Sequence, residues 1–249
     1  MAMHRYGTRD IKRWLASAPA IQSLKPEAWN LKGVHTLEAR CEVDDVPADA
    51  LVPPSLRPAI PAYCSVVVSR IPDSPVGPFS LAELRVAARV GPRPTYFLLN
   101  SFCDNPAARK ELASRWGYRV AAGEVKLKEE HYRAIGTVTV DGRTVLDLLL
   151  SHRELLPGTR FNQLATVNLA KLDGKPVLAG LSIEANFTSC DKGCQHLAAF
   201  DAAAWGTGEA LRPLNPMTAT IGVTDWTMGA IEFTVDPAVA AEQTMAFVE

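Results

Sequence analysis

Two thiols and an imidazole lie close together in the last quarter of the chain. Cys190, Cys194 and His196 fall within seven residues. A protein metal site needs about four ligands, or three and a water, and the other cysteines are scattered without a second close pair of Cys and His. We therefore predict no metal site. Three interpretations stay open: a redox-sensitive thiol pair, a plain loop, or a nucleophilic Cys–His arrangement that lacks an identifiable orienting group.

The composition narrows the range of partners. The chain has 249 residues, of which 47% are hydrophobic and 21% charged, and its formal net charge is −1. These values are typical of a globular protein that buries its own core. Nucleic acids and anionic membranes both favour a basic excess, so neither is expected as a partner. A small molecule or another protein fits better, and no motif predicts a cofactor.

The sequence also indicates a compartment. No stretch approaches the roughly 20 apolar residues of a membrane helix, and the basic N-terminal segment has no apolar run long enough for a secretory signal. The five cysteines are odd in number and irregularly spaced, which fits reduced thiols. We therefore expect a cytoplasmic protein.

The chemistry-bearing residues must be positioned by a short arm and a strand-rich domain. Residues 1–30 are predicted to form a helical arm, with Ile11, Trp14 and Leu15 on one face and prolines ending the pattern. Residues 31–249 are predicted to form one domain. Its one clear interior helix covers residues 105–116, where Asp104 or Asn105 can cap the first turn and Pro106 suits its start.

Short β-like runs make up most of that domain. Asp141-Gly142 is typical of a type I′ hairpin turn, and a similar turn occupies residues 172–175. With few helices and no βαβ alternation, the pattern predicts a β-dominated α+β fold built on a closed or strongly curved antiparallel sheet. The predicted strands cover residues 35–43, 63–71, 81–90, 95–102, 124–131, 133–140, 144–150 and 229–235.

Three stretches resemble the acetoacetate decarboxylase-like family. They are Asp-Ser-Pro-Val-Gly-Pro-Phe at 73–79, Trp-Gly-Tyr-Arg-Val-Ala-Ala-Gly-Glu-Val-Lys-Leu at 116–127, and Leu214-Asn215 before a terminal β run. Their order and spacing carry the resemblance from about Leu37 to Val239. It implies a cone-shaped, mostly antiparallel β-barrel whose wide interior is the active site, in subunits that oligomerise.

The family's chemistry depends on one lysine that forms an imine with a β-keto acid. In the alignment this lysine falls on Val120 and its lysine neighbour on Ala121, while other polar positions of the family fall on Leu81, Ala113 and Ser114. The resemblance therefore implies a member that lacks the Schiff-base lysine. Its substrate-facing wall is predicted to include Leu81, Ala113, Trp116, Val120 and Ala121.

Four polar residues are candidates for catalysis. Glu83 lies two residues beyond Leu81 and on a strand faces the same side. It is either a general base whose pKa an apolar cavity raises, or a surface glutamate. Arg40, the counterpart of a family arginine, either holds a substrate carboxylate or lies on a strand surface. In the loop of the family's lysine pair, Tyr118 either donates a proton or packs structurally, and Arg119 could stabilise an oxyanion or enolate.

Two functions stay open. The first is a lysine-independent, lyase-type enzyme that decarboxylates, hydrates, dehydrates or enolises a small carbonyl or carboxylate compound. The second is a non-catalytic protein that binds an apolar small molecule. We expect a homo-oligomer, because the family oligomerises and because Trp14 and Trp29, placed outside the presumed barrel, need a surface to cover them.

Overall fold

Strands dominate the protein, as predicted. The computed structural model describes residues 5–156, 164–208 and 211–241. Within these ranges the helices are α1 (Ile11–Ala16), α2 (Asp45–Leu51) and α3 (Pro106–Trp116). The strands are β1 (Ala20–Ile21), β2 (Trp29–Glu42), β3 (Arg57–Pro58), β4 (Tyr63–Ile71), β5 (Phe79–Val90), β6 (Arg93–Cys103), β7 (Val120–Ala122), β8 (Glu124–Glu129), β9 (Arg133–Val140), β10 (Arg143–Leu155), β11 (Ala165–Leu172), β12 (Lys175–Phe200) and β13 (Pro216–Val235).

All thirteen strands join one mixed sheet. Its order is β1-β11-β6-β5-β4-β2-β13-β12-β10-β9-β8, with β3 added on β5 and β7 on β6. Most pairs are antiparallel, and β11 pairs with β1 and β6 in parallel, as β7 does with β6. Because β11 also pairs with β12, seven strands are linked edge to edge and the sheet closes partly into a ring.

The two longest strands extend well beyond the sequence predictions. β12 has 26 residues and β13 has 20, so the predicted strand at 229–235 is only the end of β13. The segment from Cys190 to His196 lies inside β12, and its interpretation as a plain loop is wrong. Its alternating residues are small or polar, which hides the hydrophobic period that marks a strand. Register shifts along β12 let the strand bend. One part of β12 can therefore pair with β11 and another with β10.

Two apolar clusters lie on opposite faces of strands β2, β4, β5 and β6. One contains Leu37, Val68 and Leu84 together with residues of β8, β9 and β10. At Gly136 on β9, an added Cβ would meet Val68 Cγ2 at 2.9 Å, so β9 crosses directly over this face. The other cluster contains Leu81 and Trp116 with α3 beside them.

Helix α3 leads into the segment where the resemblance places the family's lysines. The Asn105 side chain accepts from Ala107 N at 2.8 Å and Ala108 N at 3.2 Å, and Gly117, with φ of 71°, ends the helix. The predicted helix and its cap are confirmed. So is the hairpin turn at Asp141-Gly142, where both residues have positive φ. Within the described ranges, no helix is long and apolar enough to cross a bilayer.

The arm is helical only at Ile11–Ala16 among its described residues, and Trp29 already begins β2. Trp14 and Trp29 are both buried, at 9% and 2% exposure, against the chain's own strands. They therefore need no second subunit to cover them. The division into an arm and a single domain stays a prediction.

Candidate active site

Two neighbouring rows of side chains run across the paired strands and carry most of the buried charge. Directly paired residues of adjacent strands point to the same face of a sheet. The two rows therefore share one face and place acids beside arginines. The first row is Thr220, Glu38, Val67, Glu83, Ser101 and Val120, and the second includes Arg40, Ser65 and Arg85.

The side chains on this face converge. Strands β2 and β6 are three strand spacings apart, about 14 Å along the sheet. The Cζ atom of Arg40 on β2 nevertheless lies 5.9 Å from the ring centroid of Tyr96 on β6, and Arg85 Cζ lies 4.8 Å from it. We call this face, on which the long side chains meet, the concave face and the opposite one the convex face. We define the concave cluster as Glu38, Arg40, Ser65, Glu83, Arg85, Tyr96, Tyr118 and Thr166.

Glu38 is the anion of the concave cluster. Its Oε1 accepts from Arg40 Nε at 3.0 Å and Ser65 Oγ at 2.7 Å, and lies 3.6 Å from Arg85 Nη2. Burial acts to raise the pKa of Glu38, but the charges of Arg85 and Arg40 and these hydrogen bonds outweigh it and lower that pKa. Glu38 therefore stays ionised between two guanidinium groups.

The pKa of Glu83 shifts in the opposite direction to that of Glu38. It is 3% exposed, and burial together with the charge of Glu38 raises its pKa against the opposing effects of Arg85 and a side-chain hydrogen bond with Tyr118. Burial and the nearby Glu83 also raise the pKa of Tyr118 well above its ordinary value, so its phenol keeps its proton. Two carboxyl groups whose pKa values are driven apart suit different acid–base roles.

Several buried polar atoms of the concave cluster have no hydrogen-bond partner among the described residues. They are Glu83 Oε1, Arg85 Nε and Tyr96 Oη. Buried polar atoms are nearly always hydrogen-bonded, and each one left without a partner costs about 1–3 kcal/mol. Three in one cluster mark a place where polar atoms of a ligand can bind. The Arg40 side chain, 26% exposed, is more open than those of Glu38 and Arg85.

The structure brings several sequence-predicted residues to this face. Glu83, Arg40 and Tyr118 belong to the concave cluster, and Leu81 lies two residues before Glu83 on the same face. Val120 pairs with Ser101, which pairs with Glu83. The position on which the resemblance places the family's lysine therefore shares a row with the buried carboxyl group.

Other predicted residues lie elsewhere. Arg119 turns away from its neighbours, and its Cζ lies 4.6 Å from the ring centroid of Trp14. Ala121 is exposed and Ala113 is half-buried on α3. Trp116 is fully buried and donates through Nε1 to Gly229 O at 2.8 Å, so it packs in the core beside the site.

The sequence analysis missed Glu38, Arg85, Ser65 and Tyr96. A signal for two of them was present: Glu38-Ala-Arg40 and Glu83-Leu-Arg85 repeat the same Glu-x-Arg spacing on two strands. On a strand, residues two apart face the same side. Two charges at that spacing within an apolar strand indicate a polar patch inside the protein.

Cys190 lies close to the same face. It pairs with Gly222 on β13, which pairs with Thr36 on β2, one row from Glu38. Burial, followed by the charges of Asp191 and Glu38, raises its pKa to about 11, which makes the thiol a poor nucleophile near neutrality. Cys194 is exposed. Among the described residues, no three His, Cys, Asp or Glu side chains are arranged to hold a metal ion.

Sequence comparison agrees with this geometry. The family model described as acetoacetate decarboxylase (ADC) matches residues 17–174, a range that includes the whole concave cluster. The chain belongs to the acetoacetate decarboxylase family. This confirms the resemblance to the family; the matched range contains the first two motifs, and the third, at Leu214-Asn215, lies beyond it. No curated protein matches the chain significantly in sequence.

Solved structures show the acetoacetate decarboxylase fold at low sequence identity. Acetoacetate decarboxylase from Legionella pneumophila subsp. pneumophila str. Philadelphia 1 has a TM-score of 0.74 at 18% identity, over 87% of this chain and 92% of that one. The enduracididine biosynthesis enzyme MppR, complexed with pyruvate, has a TM-score of 0.67 at 14% identity, over 85% and 91%. An acetoacetate decarboxylase-like enzyme from Sphingomonas wittichii RW1 has a TM-score of 0.63 at 17% identity, over 84% and 93%.

Proposed function

We propose that this family member is a lysine-independent acid–base enzyme that acts on a small keto acid through an enolate. The observation that supports the proposal best is the buried Glu83, which contacts Tyr118, lies beside Arg85 and has one oxygen without a described partner. Val120, where the resemblance places the family's lysine, lies in the same row. A structural neighbour of low identity is complexed with pyruvate, itself a keto acid.

Charge favours a carboxylate as the bound group. The concave cluster contains two guanidinium groups, the ionised Glu38, and Glu83, whose raised pKa favours its neutral form. With Glu83 protonated, one positive charge is left over, which a monocarboxylate would balance. Arg40 is the more exposed of the two arginines and can offer a two-pronged contact to that carboxylate.

Glu83 is the proposed proton-transfer group. The substrate binds with Glu83 protonated; in the fraction of complexes in which Glu83 has released that proton to solvent, its carboxylate removes a proton from the carbon next to the carbonyl. The electron pair of the broken C–H bond forms the new C=C bond, and the π pair of the carbonyl moves onto its oxygen. Tyr118 and Arg85 donate hydrogen bonds to the resulting enolate oxygen, and protonated Glu83 later returns the proton to carbon. From a β-keto acid, decarboxylation gives the same kind of enolate: the C–C bond to the carboxylate breaks, its electron pair forms the C=C bond, the carbonyl π pair moves onto oxygen, and carbon dioxide leaves. A pKa raised toward neutrality suits both roles.

A proton-exchange experiment tests this function without knowledge of the natural substrate. Pyruvate in deuterium oxide should lose its methyl proton signals faster with the wild-type protein, as followed by NMR. Glu83→Gln should slow exchange by about 100-fold or more. Glu124→Gln, which removes an exposed carboxylate on β8, should not. No acceleration by the wild type, or equal rates with Glu83→Gln, would overturn the proposal.

A trapping experiment tests the independence from lysine. Borohydride reduces an imine to a stable amine, so reduction in the presence of acetoacetate followed by mass spectrometry should return the unmodified chain. An adduct on any lysine would show that the protein uses an imine after all.

A second function is favoured by the apolar residues on the same face. Val67 and Val120 alternate with the polar residues of the first row, and Leu81 lies beside Glu83. A protein that only binds apolar small molecules would not accelerate exchange. It would bind a fluorescent apolar probe equally well as wild type and as Glu83→Gln.

We also propose that the protein is a homo-oligomer, an expectation supported by the family alone. Sedimentation at micromolar concentration should show more than one subunit per particle, and a purely monomeric protein would contradict it.

A further inference from the structure

Two arginines stack on one tryptophan where the arm covers the convex face. The Cζ atom of Arg9 lies 3.0 Å from the ring centroid of Trp14, and that of Arg119 lies 4.6 Å from the same centroid. The two Cζ atoms are therefore at most 7.6 Å apart. Trp14 in turn stacks on Phe97 of β6 at 5.8 Å between centroids, which fixes the ring against the sheet.

This pair of cations has no acidic partner among the described residues. Arg9 donates through Nη1 to Leu51 O at 3.3 Å, a neutral acceptor. Burial, followed by the charge of Arg119, lowers the pKa of Arg9 to about 9, and burial lowers the pKa of Arg119. Two partly desolvated like charges are unfavourable together. The region is electropositive, and an anion would relieve the repulsion.

We propose that Arg9 and Arg119, held on Trp14, form a binding site for a small oxyanion, either a phosphate or a carboxylate. Charge-assisted contacts of about 2.8 Å place the central atom of an oxyanion about 4 Å from each Cζ. One such oxyanion can span about 8 Å between two Cζ atoms, and the upper bound of 7.6 Å set by the two distances to the Trp14 centroid lies within that reach. The proposal is independent of the chemistry suggested for the concave cluster.

The position of Arg119 links this site to the concave face. Its carbonyl oxygen accepts from Ser101 N at 2.9 Å and from Ser101 Oγ at 2.8 Å. Its neighbours in sequence are Tyr118 and Val120, both of which face the concave side. An oxyanion on Arg119 would therefore hold the same short segment from the convex side.

Phosphate binding tests the proposal. At neutral pH and constant ionic strength, inorganic phosphate should bind saturably in calorimetry and raise the melting temperature of the wild-type protein. Arg9→Gln and Arg119→Gln should each weaken phosphate binding on the order of tenfold. Arg13→Gln removes an exposed arginine from α1, the helix that contains Trp14, and should leave binding unchanged. Acetate in a parallel titration shows whether a carboxylate serves equally well.

A lysine variant gives a second measurement. If a glutamine variant fails to fold, Arg9→Lys can be used instead. It keeps the positive charge but loses the two-pronged guanidinium donor, so it should bind phosphate more weakly than the wild type. Absence of saturable binding, or an equal loss in Arg13→Gln, would overturn the proposal.

Discussion

The concave cluster and a second ionic network use similar residues in different ways. We call the second one the clamp network; it consists of His35, Arg70, Glu129, Arg153 and Asp191. Glu129 at the end of β8 contacts His35 Nδ1 and lies 3.7 Å from both Arg70 Nη2 and Arg153 Nη1. Arg153 also donates to Asp191 Oδ2 at 2.8 Å. The network ties β8 and β10 to β2, β4 and β12.

The difference lies in how completely the polar atoms are paired. No clamp atom is among the buried atoms of the described residues that lack a partner, whereas the concave cluster has three. Paired charges hold two layers of the sheet together. Buried charges with unused hydrogen-bonding capacity retain the ability to bind and to move protons. Pairing, rather than the presence of charge, distinguishes the two regions.

The largest expected effect comes from placing a lysine in the concave row. Val120→Lys should create an amine beside Ser101 and Glu83, and burial should lower its pKa below the ordinary 10.4 or so. Acetoacetate and borohydride should then yield an amine adduct, detected by mass spectrometry. Ala121→Lys, at the exposed neighbouring position, is the control and should trap nothing. A Val120→Lys variant that titrates normally and traps nothing would show that this position does not face the site.

The next largest expected effect distinguishes Arg40 of the concave cluster from Arg70 of the clamp network. Arg40→Gln should weaken pyruvate binding about 10- to 100-fold, because it removes charge-assisted hydrogen bonds to the carboxylate. Arg70→Gln in the clamp network should leave that affinity unchanged. Calorimetric titration of each variant measures both. Equal losses would mean that the carboxylate does not bind at the concave cluster.

Glu129→Gln should chiefly affect stability. It removes the central acid of the clamp network and leaves Arg153 and Arg70 with fewer partners. Since the Glu129 side chain is 20% exposed, solvent screens part of the loss, and we expect about 1–2 kcal/mol lower free energy of unfolding. Glu124→Gln, on an exposed pair, should change little. Urea denaturation provides the measurement. An unchanged midpoint would show that the clamp network does not stabilise the fold.

The smallest effect is a pH dependence of opposite sign for the two concave acids. Burial raises the pKa of Glu83 above its ordinary 4.5, so its contribution to stability is complete below that value and is lost as the pH rises through its folded pKa. The lowered pKa of Glu38 gives stability above 4.5 that is lost on acidification. Denaturation of wild type, Glu83→Gln and Glu38→Gln from about pH 2 to pH 8 should show the two trends, and parallel curves would contradict them.

Local sequence determined the parts of the fold that depend on neighbours along the chain. Asn105, Pro106 and Gly117 set the ends of α3 through caps and backbone preferences, and Asp141-Gly142 set a hairpin through its positive φ angles. The order and spacing of the three motifs together pointed to the family. The spacing of two residues between Leu81 and Glu83 correctly put both side chains on one face.

Tertiary structure decided which side chains meet. Alternation along a strand gives the face of each residue, but only strand pairing brings Glu38 from β2 and Glu83 from β5 into one row. Arg119 was expected beside Tyr118 in the site. Consecutive residues of an extended segment point to opposite faces, so Arg119 lies on the other face, where it contacts Trp14 of the arm. Such contacts join residues far apart in the chain, so their energies leave no local pattern in the sequence.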